Sequence, residues 1–143
     1  MIRPVSYADI FNDPGFPALL KEYGEECSTL GTPKPQPDLY DLLEKSGGLQ
    51  VFGVYEESML VGFASVLIYL LPHFGIKIAT TESIFITRNF RHYGLDLMAT
   101  IENYAKVSGC EDFLYSTPVD SRFDRLLNAL EYDHTNNVYR RKL

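Results

Sequence analysis

The 143-residue chain, with 45% hydrophobic side chains, has the length of one domain and enough apolar residues to bury its own core, so a single domain over residues 1–143 is expected. Thirteen basic against nineteen acidic residues give a formal charge of −6. That balance disfavours a nonspecific nucleic-acid binder, which works by neutralising phosphates, and suits a basic or amine-bearing partner.

The opening stretch "MIRPVSYADIFNDP" has no charged-then-apolar targeting pattern. The longest apolar run, Met59 to Leu71, contains Gly62 and Ser65 and falls short of the roughly 20 residues a membrane helix needs. A cytoplasmic protein without membrane association is expected. "IRPVS" reads as a first strand. Asp13 with Pro14 is a capping signal for a helix through "GFPALLKEYGEEC", with Pro17 delaying its start. Pro33, Pro35 and Pro37 mark a loop, after which Asp38 is the expected N-cap of "LYDLLEKSGG", ended by Gly47 and Gly48.

From Leu49 the pattern turns to strands. "LQVFGVYEE" and "MLVGFASVLIYLL" form a predicted antiparallel hairpin about Glu57 and Ser58, followed by a third strand, "IKIATTESIFIT". Helical spacing begins near Tyr93, with Leu97, Ile101, Tyr104 and Ala105 on one side, and ends at Gly109. "CEDFLYST" is read as a strand, "SRFDRLLNALE" as a helix opened by Pro118 and Asp120, and "VYRRKL" as a last strand. The order predicts an α/β (α+β) domain, a mixed sheet flanked by about four helices. Cys27 and Cys110 lack paired spacing and the three histidines are scattered, so neither a disulfide nor a metal site is expected.

The stretch "TESIFITRNFRHYGLDLMATIENY" hands a strand to a helix through a basic turn, with Arg88, Arg91 and His92 ahead of Gly94. The first helical N–H groups lack backbone partners and carry the positive end of the dipole, so this is a candidate phosphate site. Neither G-x-x-x-x-G-K-[ST] nor G-x-G-x-x-G occurs.

"IFITRNFRHYGLDLMATIENYAKVSGCEDFLYST" resembles the cofactor-binding core of the GCN5-related N-acetyltransferases (GNAT), an aliphatic strand followed by R-x-x-G-x-G/A at a helix start. Ile84, Phe85, Ile86, Arg91 and Gly94 carry the match. More narrowly, "LPHFG", "ATTESIF" and "EYDHTNNVY" resemble phage- and prophage-borne members. The resemblance implies the acyl-CoA N-acyltransferase fold, acetyl-CoA as cosubstrate and transfer of its acetyl group to a primary amine of a small molecule or protein. It implies cofactor contacts from Phe85, Ile86, Arg91, His92, Tyr93, Gly94, Leu95, Asp96 and Leu97. It also implies an oxyanion-binding backbone N–H at Ile86 and a general base at Glu82. By the period of two, Glu82, Ile84 and Ile86 are expected on one strand face.

The sequence departs from the family pattern at three positions. Asp96 stands where Gly or Ala is usual and brings a carboxylate toward the pyrophosphate unless it pairs with Arg88 or Arg91. Leu127 occupies the place of the usual tyrosine acid, leaving Tyr115, Tyr132 and Tyr139 as alternatives, and Asp120 replaces a pantetheine-contacting Asn. His73 and His134 are further candidates for the acceptor pocket. Lys77 is the alternative, purely structural partner of Glu82. Asp96 and Leu127 keep a second reading open, a GNAT-fold protein with weak or lost catalysis that binds a macromolecular partner. A nucleic-acid base modifier has poor support from the acidic balance, and a homodimer is compatible with either reading.

Overall fold

The computed structural model describes residues 1–143. Its elements are β1 (Ile2–Val5), α1 (Tyr7–Phe11), α2 (Phe16–Cys27), α3 (Pro37–Lys45), β2 (Leu49–Glu56), β3 (Met59–Leu71), β4 (Ile76–Ile86), a 3-10 segment (Arg88–Tyr93), α4 (Gly94–Val107), β5 (Asp112–Leu114) and α5 (Arg122–Ala129). The five strands form one sheet in the order β1-β2-β3-β4-β5. Every neighbouring pair is antiparallel except β4 and β5, which run parallel over Ile78–Thr80 and Asp112–Leu114. The fold is a single-domain α+β arrangement with α4 as the connection between the two parallel strands.

Alternation along the strands, shifted by one residue at the β2–β3 irregularity that leaves Val61 unpaired, divides the core between the two sheet faces. Val51, Tyr55, Phe63 and Phe85 pack with Tyr7, Ile10, Phe16 and Leu19 of α1 and α2, while Phe52, Val54, Val61, Ala64 and Val66 pack with Leu97, Ile101 and Ala105 of α4. The helical face expected of α4 is thus its buried face.

Local signals explain where the expected boundaries moved. A third helix precedes the hairpin: Ser6 caps α1 in a reciprocal capping box with Asp9. Pro17 does not delay α2, because it sits in the first turn, where its missing N–H has no intrahelical partner to lose. Pro37 likewise opens α3, so Gln36 is the cap and Asp38 lies in the first turn. Ser121, not Asp120, caps α5 by accepting the Asp124 N–H. Gly47 at φ 78° and Gly109 at φ 84° follow α3 and α4 in the left-handed region that favours glycine.

The last expected strand does not form. Residues 133–143 carry no regular secondary structure, and Val138, Tyr139 and Leu143, the apolar side chains of "VYRRKL", lie exposed. With so little apolar surface to bury on one face, the segment has no drive to extend the sheet. Its recorded hold on the rest of the chain is the Arg140 guanidinium, which donates to the Thr29 carbonyl.

Candidate functional site

A β-bulge sets the direction of Glu82. Ser65 pairs with Ser83 and Val66 with Thr81, so Glu82 is an extra residue in β4 with no partner opposite. The bulge breaks the period of two. Ile84 and Ile86 pack on the α4 face, whereas the Glu82 carboxylate reaches the opposite face, where Phe85, Ser83 and Ser65 lie. The expected common face of Glu82, Ile84 and Ile86 is therefore corrected: an inserted residue shifts the phase between them.

On that face, the Ser65 hydroxyl donates to a Glu82 oxygen at 2.7 Å, and the Tyr40 phenol donates to the same oxygen at 2.9 Å. Ser65 has spent its one proton on Glu82, so Ser83 is the donor in the contact between the two serines. Lys77 is not a partner of Glu82; its ammonium donates to the Ser108 carbonyl at 2.7 Å.

Glu82 opens into a cavity of about 410 Å³ between the sheet, α1–α3 and the 28–36 loop. Aromatic rings dominate its walls: Tyr7 stacks on Tyr40 at 3.8 Å and 4°, and Phe63 meets Phe16 and Tyr23 edge-on. Burial, with the Glu82 charge second, pushes the Tyr7 phenol up to about 12, and the same causes raise Tyr23 and Tyr40. All three remain neutral hydroxyl groups at physiological pH. His73, in the β3–β4 turn, and His134, in the exposed terminal segment, do not line this cavity.

On its β5 side, β4 is left without a paired strand beyond Thr80, an opening in the sheet. The Thr87 N–H bonds to the Val61 carbonyl at 3.0 Å, so the antiparallel ladder turns the Ile84 and Ile86 N–H groups away from β3. They face the side on which β5 pairs only as far as Thr80. The Ile86 carbonyl points the same way and accepts the Arg91 Nε at 3.3 Å.

The basic turn is held by carboxylates of α2. Glu22 accepts the Thr87 hydroxyl at 2.7 Å and the Arg88 N–H at 3.2 Å. Glu26 takes the Arg91 guanidinium, with Arg88 at 3.5 Å from its other oxygen. Both arginines thus serve the protein's own acids, and Asp96 pairs with neither. The turn is a 3-10 segment leading directly into α4, and the Gly94 N–H bonds to the Arg91 carbonyl. Gly94 has a helical φ of −60°, and a Cβ there would meet nothing within 4 Å. Neither the backbone nor a neighbour demands glycine, so the missing side chain leaves open space against the first turn of a 14-residue helix. The Leu95 and Asp96 N–H groups have no partners within α4, but the exposed Asp96 carboxylate shares their turn. His92 is exposed beside Tyr93, whose phenol is raised mainly by donating to Glu56, with Asp96 the smallest cause. Phe85 and Leu97 are core residues on opposite faces of the sheet.

The alternative tyrosine acids are engaged elsewhere. Tyr115 and Tyr132 both donate to one Glu102 oxygen, at 2.8 and 2.6 Å, tying α4 to the chain after β5 and α5. Tyr139 is exposed, and Leu127 is buried. The features sequence reasoning missed are Tyr7, Tyr23, Tyr40 and Ser65; their signal was aromatic content ahead of the hairpin, but nothing local joined it to Glu82.

No family model and no curated protein matches the chain. Solved structures do match over its full length. A ribosomal-protein-alanine N-acetyltransferase of Brucella melitensis biovar Abortus 2308 is 16% identical, with 99% of its own chain covered and a TM-score of 0.72. A GNAT-family acetyltransferase of Staphylococcus aureus is 18% identical, with 98% covered and a TM-score of 0.66. An aminoglycoside N-acetyltransferase in complex with CoA is 18% identical, with 100% covered and a TM-score of 0.70. The fold is that of the GNAT acyl-CoA N-acyltransferases. No helix is long and apolar enough to cross a membrane.

Proposed function

We propose that the protein is an N-acetyltransferase that moves the acetyl group of acetyl-CoA to a primary amine. One observation carries the reading: β4 offers a bulge-directed carboxylate, Glu82, to an aromatic cavity and, four residues on, a backbone N–H at Ile86 to the opening beside β5. The fold and the CoA-bound neighbour support it.

In this reading the backbone receives the cosubstrate. The amides of Leu95 and Asp96, beside the space above Gly94, hold the pyrophosphate, and the β4–β5 opening takes the acyl end. Acetyl-CoA supplies a thioester carbon: its C–S bond is exchanged for C–N, two protons leave the ammonium nitrogen, one ends on the sulfur and one is released. The Ile86 N–H stabilises the negative charge that develops on the carbonyl oxygen. Extended backbone rises about 3.4 Å per residue, which separates the Glu82 and Ile86 Cα atoms by roughly 13 Å, so Glu82 withdraws the amine protons through water. Ser65 and Tyr40 fix the carboxylate in place by donating to it.

Incubation with acetyl-CoA and a panel of amines, following free thiol, tests the activity. Calorimetry showing no CoA binding at millimolar concentration would sink the cosubstrate assignment. Arg88 and Arg91 on Glu26, together with Asp96 in the first turn, favour a second reading in which the fold binds a macromolecular partner and catalysis is weak or lost. A stoichiometric partner recovered without cofactor, from a protein that binds no CoA, would favour that reading.

A further inference from the structure

The cavity at Glu82 also carries information about the acceptor. Among all its lining residues only Glu82 is acidic and only Lys34 is basic. The remainder is largely rings and aliphatic side chains, with Tyr7, Tyr23, Tyr40, Phe16 and Phe63 as walls. A compound bearing several ammonium groups would find one carboxylate and leave its other charges against apolar surface, at a large desolvation cost. A single ammonium is matched by the Glu82 charge, and an apolar body attached to it by the surrounding rings and aliphatic side chains.

Shape narrows the class further. About 410 Å³ is at the small end of small-molecule pockets, which run from roughly 300 to 1,000 Å³. The 28–36 loop closes one side and is pinned in place: a Cβ on Gly24 would come within 2.7 Å of the Pro33 ring, so α2 and the loop touch there without a gap. Pro33, Pro35 and Pro37 restrict its backbone, and Ser28 ties it by donating to the Gly31 carbonyl. A half-open pocket of this volume, walled on one side by a fixed loop, suits a small molecule better than an extended polypeptide.

We propose that the acceptor is a small monoamine: one primary ammonium on an apolar, ring-sized body. The ammonium lies on the Ile86 side of Glu82 and meets its carboxylate through water, and the ring lies against the Tyr7–Tyr40 stack. The inference rests on the acetyl-transfer reading for calling the ligand an acceptor, but the recognition itself is independent of the cosubstrate.

Calorimetric titration, with and without saturating CoA, separates the two. The probes are 2-phenylethylamine, its neutral analogue 2-phenylethanol, ring-free propylamine, spermidine, and trialanine amide as a peptide amino terminus. The expected result, in either condition, is 2-phenylethylamine binding at least tenfold tighter than each of the other four. Glu82→Gln should erase the preference over the alcohol, and Tyr40→Leu should erase much of the preference over propylamine. Tyr40→Phe, which keeps the ring, should retain it. Spermidine or the peptide binding as tightly as 2-phenylethylamine overturns the proposal, as does equal binding of amine and alcohol to the parent protein. Loss of CoA binding alone, with the amine preference intact, would overturn the acetyl-transfer reading and leave the pocket chemistry standing.

Discussion

Ser65 of β3 donates its hydroxyl to Glu82 of β4 at 2.7 Å, at the one place where the two strands lose their register. Ser65 is nearly inaccessible, whereas Glu82 is exposed toward the cavity. The buried hydroxyl acts as a fixed post for a carboxylate that must stay available. Under the proposed mechanism, Glu82→Gln should lower kcat by about 10²-fold or more, with the KM for acetyl-CoA nearly unchanged, because the side chain serves the amine and not the pyrophosphate. Steady-state kinetics across pH checks this. The parent rate should rise with pH and level off, and the variant should lose or shift that rise. Full activity with an unchanged profile would make Glu82 a structural residue.

Arg91 and Glu26 lie 65 positions apart in sequence, and their ion pair joins α2 to the junction of β4 with the 3-10 segment. Arg91 Nε also bonds to the Ile86 carbonyl. Arg91→Ala should therefore cost stability, about 1–2 kcal/mol after allowing for the partial exposure of both partners. A urea-denaturation cycle with Glu26→Ala and the double variant should find the two losses less than additive. A change confined to acetyl-CoA affinity, with stability intact, would count against this structural role.

The Tyr7 hydroxyl is buried without a hydrogen-bond partner. An unsatisfied buried donor costs about 1–3 kcal/mol, and the ring is already held by its stack on Tyr40. Tyr7→Phe should accordingly leave stability unchanged or raise it by about 1 kcal/mol, read as a higher urea midpoint. A clear loss would reveal a partner for the hydroxyl.

The hairpin and α4 were legible in the sequence because their signals are local: two apolar runs about the Glu57–Ser58 turn and the 3.6 spacing of Leu97, Ile101 and Ala105. The capping box of α1, Ser6 with Asp9, was equally local and went unread behind the stronger Asp13–Pro14 signal. The site depended on more distant relations. Tyr40 reaches Glu82 across 42 positions, and the bulge that aims Glu82 has no signature in "TTESIFI" that separates it from a regular strand. "VYRRKL" shows the opposite failure, a strand-like residue pattern with too little to pack against.

Alkaline pH should weaken the fold through phenols that it holds neutral. Tyr7 is raised to about 12 chiefly by burial, and Tyr132 to about 12 by burial and its bond to Glu102; Tyr40 and Tyr115 shift in the same direction. A phenol whose folded pKa exceeds the unfolded value of about 10 favours folding fully below pH 10. That contribution disappears as pH climbs from about 10 through 12, because the unfolded chain releases its protons first. The melting temperature should fall across this window. In an ultraviolet titration of the ten tyrosines, Tyr7 and Tyr132 should ionise late, well above pH 10. A flat melting temperature from pH 9 to 12 would contradict the raised ionisation of these phenols.

Asp96 provides the sharpest test of the pyrophosphate assignment, because its effects on folding and binding oppose each other. A carboxylate in the first turn of α4 stabilises the helix by about 0.3–1 kcal/mol through the dipole, and glycine gives up about 0.3 kcal/mol more helix propensity than aspartate, itself a poor helix former. Asp96→Gly should therefore lower stability by about 0.5–1.5 kcal/mol. The same carboxylate shares its turn with the Leu95 and Asp96 N–H groups and repels any diphosphate seated on them, with no arginine to offset it. CoA affinity of Asp96→Gly should consequently rise by about fivefold or more at low salt, and the gain should shrink as salt screens the exposed charge. Asp96→Asn keeps a side chain of the same size and separates charge from backbone freedom: it should reproduce most of the affinity gain with a smaller loss of stability. Calorimetry with CoA at two ionic strengths, beside urea melts of both variants, reads the two effects separately. Unchanged CoA affinity in both variants would place the pyrophosphate away from the first turn of α4.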